Sequence, residues 1–243
     1  MDAFVRFTNK SQGRDRLFRA TQYTCMLLRY LLQSKTGKER VLMKLKTLES
    51  NMSSGRKLLR LGNMVHAVEA AKRTLQLPSL IPRFCLTISN VNRVLYFICD
   101  TILWARSTGL VSDINKEKWI RWATRYYFYS LLMNLARDLF EILQRIEKNA
   151  QDKKTEALYN HNNQEQDPTI TMVTFDSSLL LLYCSLKNHP SLLLDTIKNL
   201  CDLFSPLDKL GIYKTNPGLI GLCGLLSSLV GILTVAIPQL QLK

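Results

Sequence analysis

The sequence predicts an all-α integral membrane protein, with amphipathic helices in its N-terminal part, one transmembrane helix near its C-terminus and a second apolar segment that favours spanning. Three observations carry this reading. Residues 218–237 form a run of 20 residues without a charge. Elsewhere leucine and aromatic residues recur at i, i+3 and i+4, and no set of alternating strand-like segments stands beside them. The chain carries 33 Lys and Arg against 19 Asp and Glu, a net +14 that is unevenly placed.

Residues 1–82 are the basic part. The first 75 residues hold 16 basic and 5 acidic side chains, +11, which leaves +3 for the other 168. Such a region faces phosphates of nucleic acid or of lipid headgroups. Residues 15–33 read as a helix, with Leu17, Ala20, Thr24, Leu28 and Leu31 at helical spacing. "SKTG" ends it, and 39–52 resumes with Val41, Leu42, Leu45 and Leu48.

Residues 54–75, "SGRKLLRLGNMVHAVEAAKRTL", are basic and apolar together. On a helical wheel Leu58, Leu61, Met64, Val65, Val68, Ala71 and Leu75 share an arc of about 140°. Arg56, Arg60 and Arg73 fall outside it; Lys57 and Lys72 lie inside it near the ends, where long side chains snorkel. Ser53 or Ser54 is placed to cap the start, and Pro78 limits the end. Gly62 either sits inside one helix at a cost of about 1 kcal/mol or divides the segment in two. The segment has no aromatic residue on which a base could stack, which argues against nucleic acid. An anionic bilayer surface needs an apolar arc and cations together. There Leu58, Leu61, Met64, Val65, Val68 and Leu75 would insert, and Arg56, Lys57, Arg60, Lys72 and Arg73 would meet headgroups at about 1 kcal/mol each.

Residues 83–105 are the second apolar segment. Its large apolar side chains are worth about −3 to −6 kcal/mol on insertion scales, and Arg93 and Asp100 take back about +5 to +7. Seven apart, those two share a helix face and form a possible intramembrane polar pair. Two spans would put both termini on one side of the membrane and one span would oppose them; residues 1–82 face the cytosol under either. Residues 106–148 read as helical, with one long helix at 119–147. The stretch 149–172 is polar and Asn/Gln-rich, a loop by composition. Within 173–216, helices are expected at 175–186 and 191–204.

The span itself occupies 217–238, followed by a short tail, 239–243. Twenty residues at about 1.5 Å each cover roughly 30 Å, the thickness of a bilayer's hydrocarbon core. Eleven of the 20 are Leu, Ile or Val, together worth about −3 to −6 kcal/mol. Gly224 with Ser228, and Ser227 with Gly231, make two small-xxx-small pairs, the pattern of a self-association face. Catalytic signatures are lacking: there is no GxGxxG, P-loop, HExxH or GxSxG. The six cysteines show neither CxxC pairing nor histidine at ligand spacing, so no metal, cofactor or disulfide framework is expected. A start without an apolar h-region predicts no secretory signal. A non-enzymatic membrane role follows, with a pore for small metabolites through Arg93 and Asp100 as the alternative.

"GRDRLFRATQYTCMLLRYLL", "SSGRKLLRLGNMVHAVEAAKR" and the near-terminal span together resemble the peroxin-eleven family of peroxisomal membrane proteins, nearest its mammalian alpha-type branch. The resemblance covers essentially the whole chain, and the block at 55–62 is its most specific part. It implies a peroxisomal membrane location with two spans and a cytosolic N-terminus. It also implies elongation and proliferation of peroxisomes by amphipathic-helix insertion and by self-association with like and related members. The implied partners are a tail-anchored fission adaptor, a dynamin-related GTPase and the import receptor for peroxisomal membrane proteins. Some alpha-type members end in a dilysine-type tail that binds coatomer. Here Lys243 stands alone, which argues against coatomer.

Overall fold

A computed structural model describes residues 2–33, 37–161 and 189–240. Among them lie eight α-helices: α1 (Asp2–Asn9), α2 (Ser11–Leu32), α3 (Glu39–Leu59), α4 (Asn63–Thr74), α5 (Leu80–Ser107), α6 (Lys116–His161), α7 (Pro190–Lys209) and α8 (Pro217–Ala236). A 3₁₀ turn, Pro238–Leu240, follows α8. The helix expected at 175–186 lies outside the described residues.

The helices touch in a closed cycle. α2 packs on α8, α8 on α7, α7 on α6, α6 on α5, α5 on α3, and α3 on α2. Inside this ring lies a cavity of about 670 Å³ lined by all six members. α4 rests outside the ring on α5, and α1 beside α2, where Phe7 is buried.

Two starts follow from local sequence. Pro217 stands in the first turn of α8, where its missing N–H costs nothing, and the Asn216 side chain accepts from the Gly218 amide at 3.0 Å. The Asn216 amide also donates to the Tyr30 hydroxyl at 2.8 Å, which ties the start of α8 to the end of α2. Pro190 likewise opens α7.

One open alternative is decided and two expectations change. Residues 54–75 are two helices, because Gly62 adopts φ 83° and turns the chain between α3 and α4. Ser53 and Ser54 consequently lie inside α3 rather than capping a new helix. α6 runs on through 149–161, where polarity suggested a loop. That stretch holds Ala, Lys, Glu and Gln with no Gly or Pro, and these are good helix formers. Segment 83–105 is helical throughout, within the longer α5. Among the described residues, α8 alone is long and apolar enough to cross a membrane.

At Gly62 an added Cβ would meet no neighbour within 4 Å, so only backbone strain opposes substitution. Gly62→Val is expected to lower stability by about 1–2 kcal/mol. Thermal unfolding of the purified protein in detergent checks this, with Gly62→Asn losing less because Asn tolerates the left-handed region.

Candidate membrane interface

α4 turns apolar side chains to the outside. Its small Ala67 is 5% exposed and faces inward, whereas Val65 is 63% exposed, with Met64 and Val68 also outward. Leu58 at the end of α3 and Leu75 at the end of α4 are exposed as well, at 54% and 58%. Leu61, in the turn, is half-buried. Lys72 and Arg73 are exposed on the same helix, and Arg73 pairs with Glu69 one turn earlier. An apolar face with cations beside it thus stands in solvent, a shape suited to an anionic lipid surface.

The other cations of that stretch point elsewhere. Arg56 donates to Asp15 at 3.2 Å and to Gln22 at 2.8 Å, both on α2. Arg60 lies 3.6 Å from Asp15 and 3.3 Å from Asp100, and donates to the Tyr96 hydroxyl. Lys57 is half-buried at the cavity wall. Of the five predicted headgroup contacts, Lys72 and Arg73 face outward while Arg56, Lys57 and Arg60 line the interior. Arg93 and Asp100 do not pair: Asp100 is taken by Arg60, and Arg93 sits 6.0 Å from the Phe97 ring.

On α8 the small residues are used within the chain. A Cβ on Gly224 would lie 2.3 Å from the Tyr23 ring, and one on Gly221 3.1 Å from the Leu27 backbone. Gly231 abuts the Arg16 side chain, and Ser227 and Ser228 are fully buried. Ser228 turns its hydroxyl back onto the Gly224 carbonyl at 2.6 Å. Of the face read as a self-association surface, Gly224 and Gly231 are therefore covered by α2, and Ser227 and Ser228 are buried within the chain. Leu219, Leu222, Leu226, Leu229 and Leu233 form the outward face.

The interior is charged. Arg19 pairs with Asp202 across α2 and α7, and Tyr127 of α6 donates to the second Asp202 oxygen at 3.0 Å. Burial pushes the Asp202 carboxyl up, but Arg19 outweighs it and holds the group below its ordinary value. Asp15 behaves alike, burial opposing and Arg56 with Arg60 prevailing. Between α6 and α7, Arg137 meets Asp138 and Asp195, each at 2.8 Å, and Asn199 donates to Asp138 at 2.9 Å. The sequence pattern had flagged neither Asp15, Arg19 nor Asp202. The one available signal was charge at positions that share a face with buried residues.

A helical ring with charge inside, leucine on the outer face of its one uncharged 20-residue helix and a cationic apolar helix on its flank defines a membrane-associated helical bundle. The chain belongs to the Peroxisomal biogenesis factor 11 family, whose pattern matches residues 1–236. It is 59% identical to Peroxisomal membrane protein 11A of Homo sapiens, an alignment covering all of this chain and 99% of the relative. The Bos taurus protein of that name is 57% identical over the same shares. Peroxisomal membrane protein 11B of Homo sapiens is 43% identical, with both chains covered in full. No solved structure matches the chain.

Two predictions follow from the packing. Gly224→Leu overfills the α2–α8 contact and is expected to cost about 1–3 kcal/mol. The loss of thermal stability should not vary with protein concentration, since the contact lies within one chain. Asp138 gives a pH signature: burial raises its carboxyl to about 6, against Arg137 and the Asn199 hydrogen bond. The folded value lies above the ordinary 3.8, so ionised Asp138 lowers stability above pH ~6 and that penalty fades as pH falls through this window. Asp138→Asn should therefore raise Tm at pH 8, with the advantage shrinking between pH 6 and 4.

Proposed function

We propose that this chain remodels the peroxisomal membrane, promoting its protrusion and elongation ahead of division. The observation that carries the reading is the outward apolar face of α4, exposed in the folded chain beside Lys72 and Arg73. Inserted to about 5–10 Å, α4 expands only the cytosolic leaflet, and the bilayer bends away from it. α8 crosses the bilayer and holds α4 at the surface, which raises its effective concentration there. α5 is the second span in this proposal, which puts both termini in the cytosol.

Copies and related family members gather to concentrate the wedge. With the small residues of α8 packed on α2, the surface left for a second copy is the outer leucine stripe, whose 3-4-3-4 spacing matches a helix-pairing seam. A tail-anchored fission adaptor and a dynamin-related GTPase then complete division, and the import receptor for peroxisomal membrane proteins delivers the chain. The likeness to Peroxisomal membrane proteins 11A and 11B supports the compartment. A pore for small metabolites is the second reading, favoured by the polar cavity inside the ring and by Arg93 on its wall.

The test is Val65→Glu with Val68→Glu. Both side chains point outward, so the protein should keep its Tm and its membrane insertion. It should lose the ability to draw tubules from anionic vesicles. Undiminished tubulation removes α4 from the mechanism. Persistent solute flux without tubulation in the wild type would favour the pore.

A further inference from the structure

The cavity inside the ring is larger and more cationic than packing requires. Eight Lys and Arg side chains line it against four Asp, a local excess of +4. Each of the four carboxylates already has a partner. Asp15 is held by Arg56 and Arg60, Asp100 by Arg60, Asp202 by Arg19 and Asp195 by Lys198 with Arg137. Four lining cations remain without an ion pair among the described residues: Arg16 of α2, Lys57 of α3, Arg93 of α5 and Lys209 of α7. Arg19 adds a buried Nε with no acceptor.

Gathering like charges at a half-enclosed site costs energy that a 1:1 ion network would not incur. Burial, with Arg19 beside it, lowers the pKa of Arg16 even against Asp15 and Asp202. Burial also lowers Lys57, with Arg60 and two further lysines working the same way against Asp100. The ion pairs that join α2 to α3, α3 to α5 and α6 to α7 are complete without the four spare cations. Their placement on four helices around one space is what an anion receptor requires. Guanidinium forks match phosphate oxygens in pairs. A volume of about 670 Å³ falls within the ~300–1,000 Å³ of small-molecule sites.

We infer that the ring encloses a binding site for a multiply charged phosphate ester, gripped by Arg16, Lys57 and Arg93 and by the free edge of Arg19. The ligand is either a soluble phosphate compound or the phosphorylated headgroup of a lipid. The site needs no passage through the bundle and does not depend on α4 reaching the bilayer.

The experiment uses the full chain in uncharged detergent, with thermal unfolding read against inorganic pyrophosphate and, separately, dibutanoyl phosphatidylinositol 4-phosphate. A saturable rise in Tm is expected with at least one of them, beyond that given by sodium chloride at equal ionic strength. Pyrophosphate alone identifies a soluble ligand; the short-chain lipid alone identifies a headgroup; mutual competition shows one site open to both. Arg16→Gln and Arg93→Gln should each weaken binding at least tenfold. Without ligand, each should leave Tm unchanged or raise it, because a repelling charge is gone. Stabilisation by neither probe, or undiminished binding in both variants, overturns the site. So does a fall in unliganded Tm in both variants, which would make these arginines structural. The Val65→Glu, Val68→Glu protein should bind as the wild type does, which separates this inference from the fate of the remodelling proposal.

Discussion

The ring stands on charge pairs buried between its helices. Arg19 with Asp202 joins α2 to α7, and Tyr127 adds α6 to the same carboxylate. Asp15 joins α2 to α3 through Arg56 and Arg60, and Arg60 carries on to Asp100 of α5. Removing one member of such a pair strands its partner in a poor solvent for charge, at about 3–5 kcal/mol. The geometry is correspondingly exclusive. A helix that rotates or slips leaves an ion unmet, so the pairs select one arrangement among many apolar packings of similar area.

α8 is the exception, and its chemistry says why. It has no charge to offer, and in lipid apolar contact gives no net drive to associate. Its glycines instead let α2 approach, the Leu27 backbone at Gly221 and the Tyr23 ring at Gly224. The bundle thus uses two kinds of adhesion: ion pairs that join α2 to α3 and α7, α3 to α5 and α6 to α7, and close contact where α8 meets α2. The outer face of α8 is left to leucine, at Leu219, Leu222, Leu226, Leu229 and Leu233, which suits apolar surroundings.

Long periodic elements were legible in the sequence. α8 was plain because 20 uncharged residues admit few readings, and α5 was continuous despite Arg93 and Asp100. The apolar arc of 54–75 was legible, but its continuity was not, since a wheel assumes one axis and Gly62 breaks it. Pairings were the hidden part. Spacing suggested Arg93 for Asp100, yet the partner is Arg60, 40 positions away in the chain, and sequence distance carries no information about such contacts. The small residues of α8 show the same limit: they announce a close approach without saying whether the neighbour is a second copy or α2.

The turn at Gly62 has a further consequence for the basic N-terminal region. A single helix through 54–75 would have carried all five cations on one axis, beside one apolar arc. Broken at Gly62, the stretch sends Arg56, Lys57 and Arg60 to the interior and leaves Lys72 and Arg73 outside. The same composition therefore serves two surfaces with different demands. Inside, guanidinium is preferred because its planar fork satisfies two acceptors at once, as Arg56 does with Asp15 and Gln22. Outside, Lys72 and Arg73 stand in solvent beside the apolar face of α4. Net charge alone would assign the whole +11 to one surface. The fold divides it: Arg56, Lys57 and Arg60 add positive potential to the centre of the ring, and Lys72 and Arg73 stay on its flank.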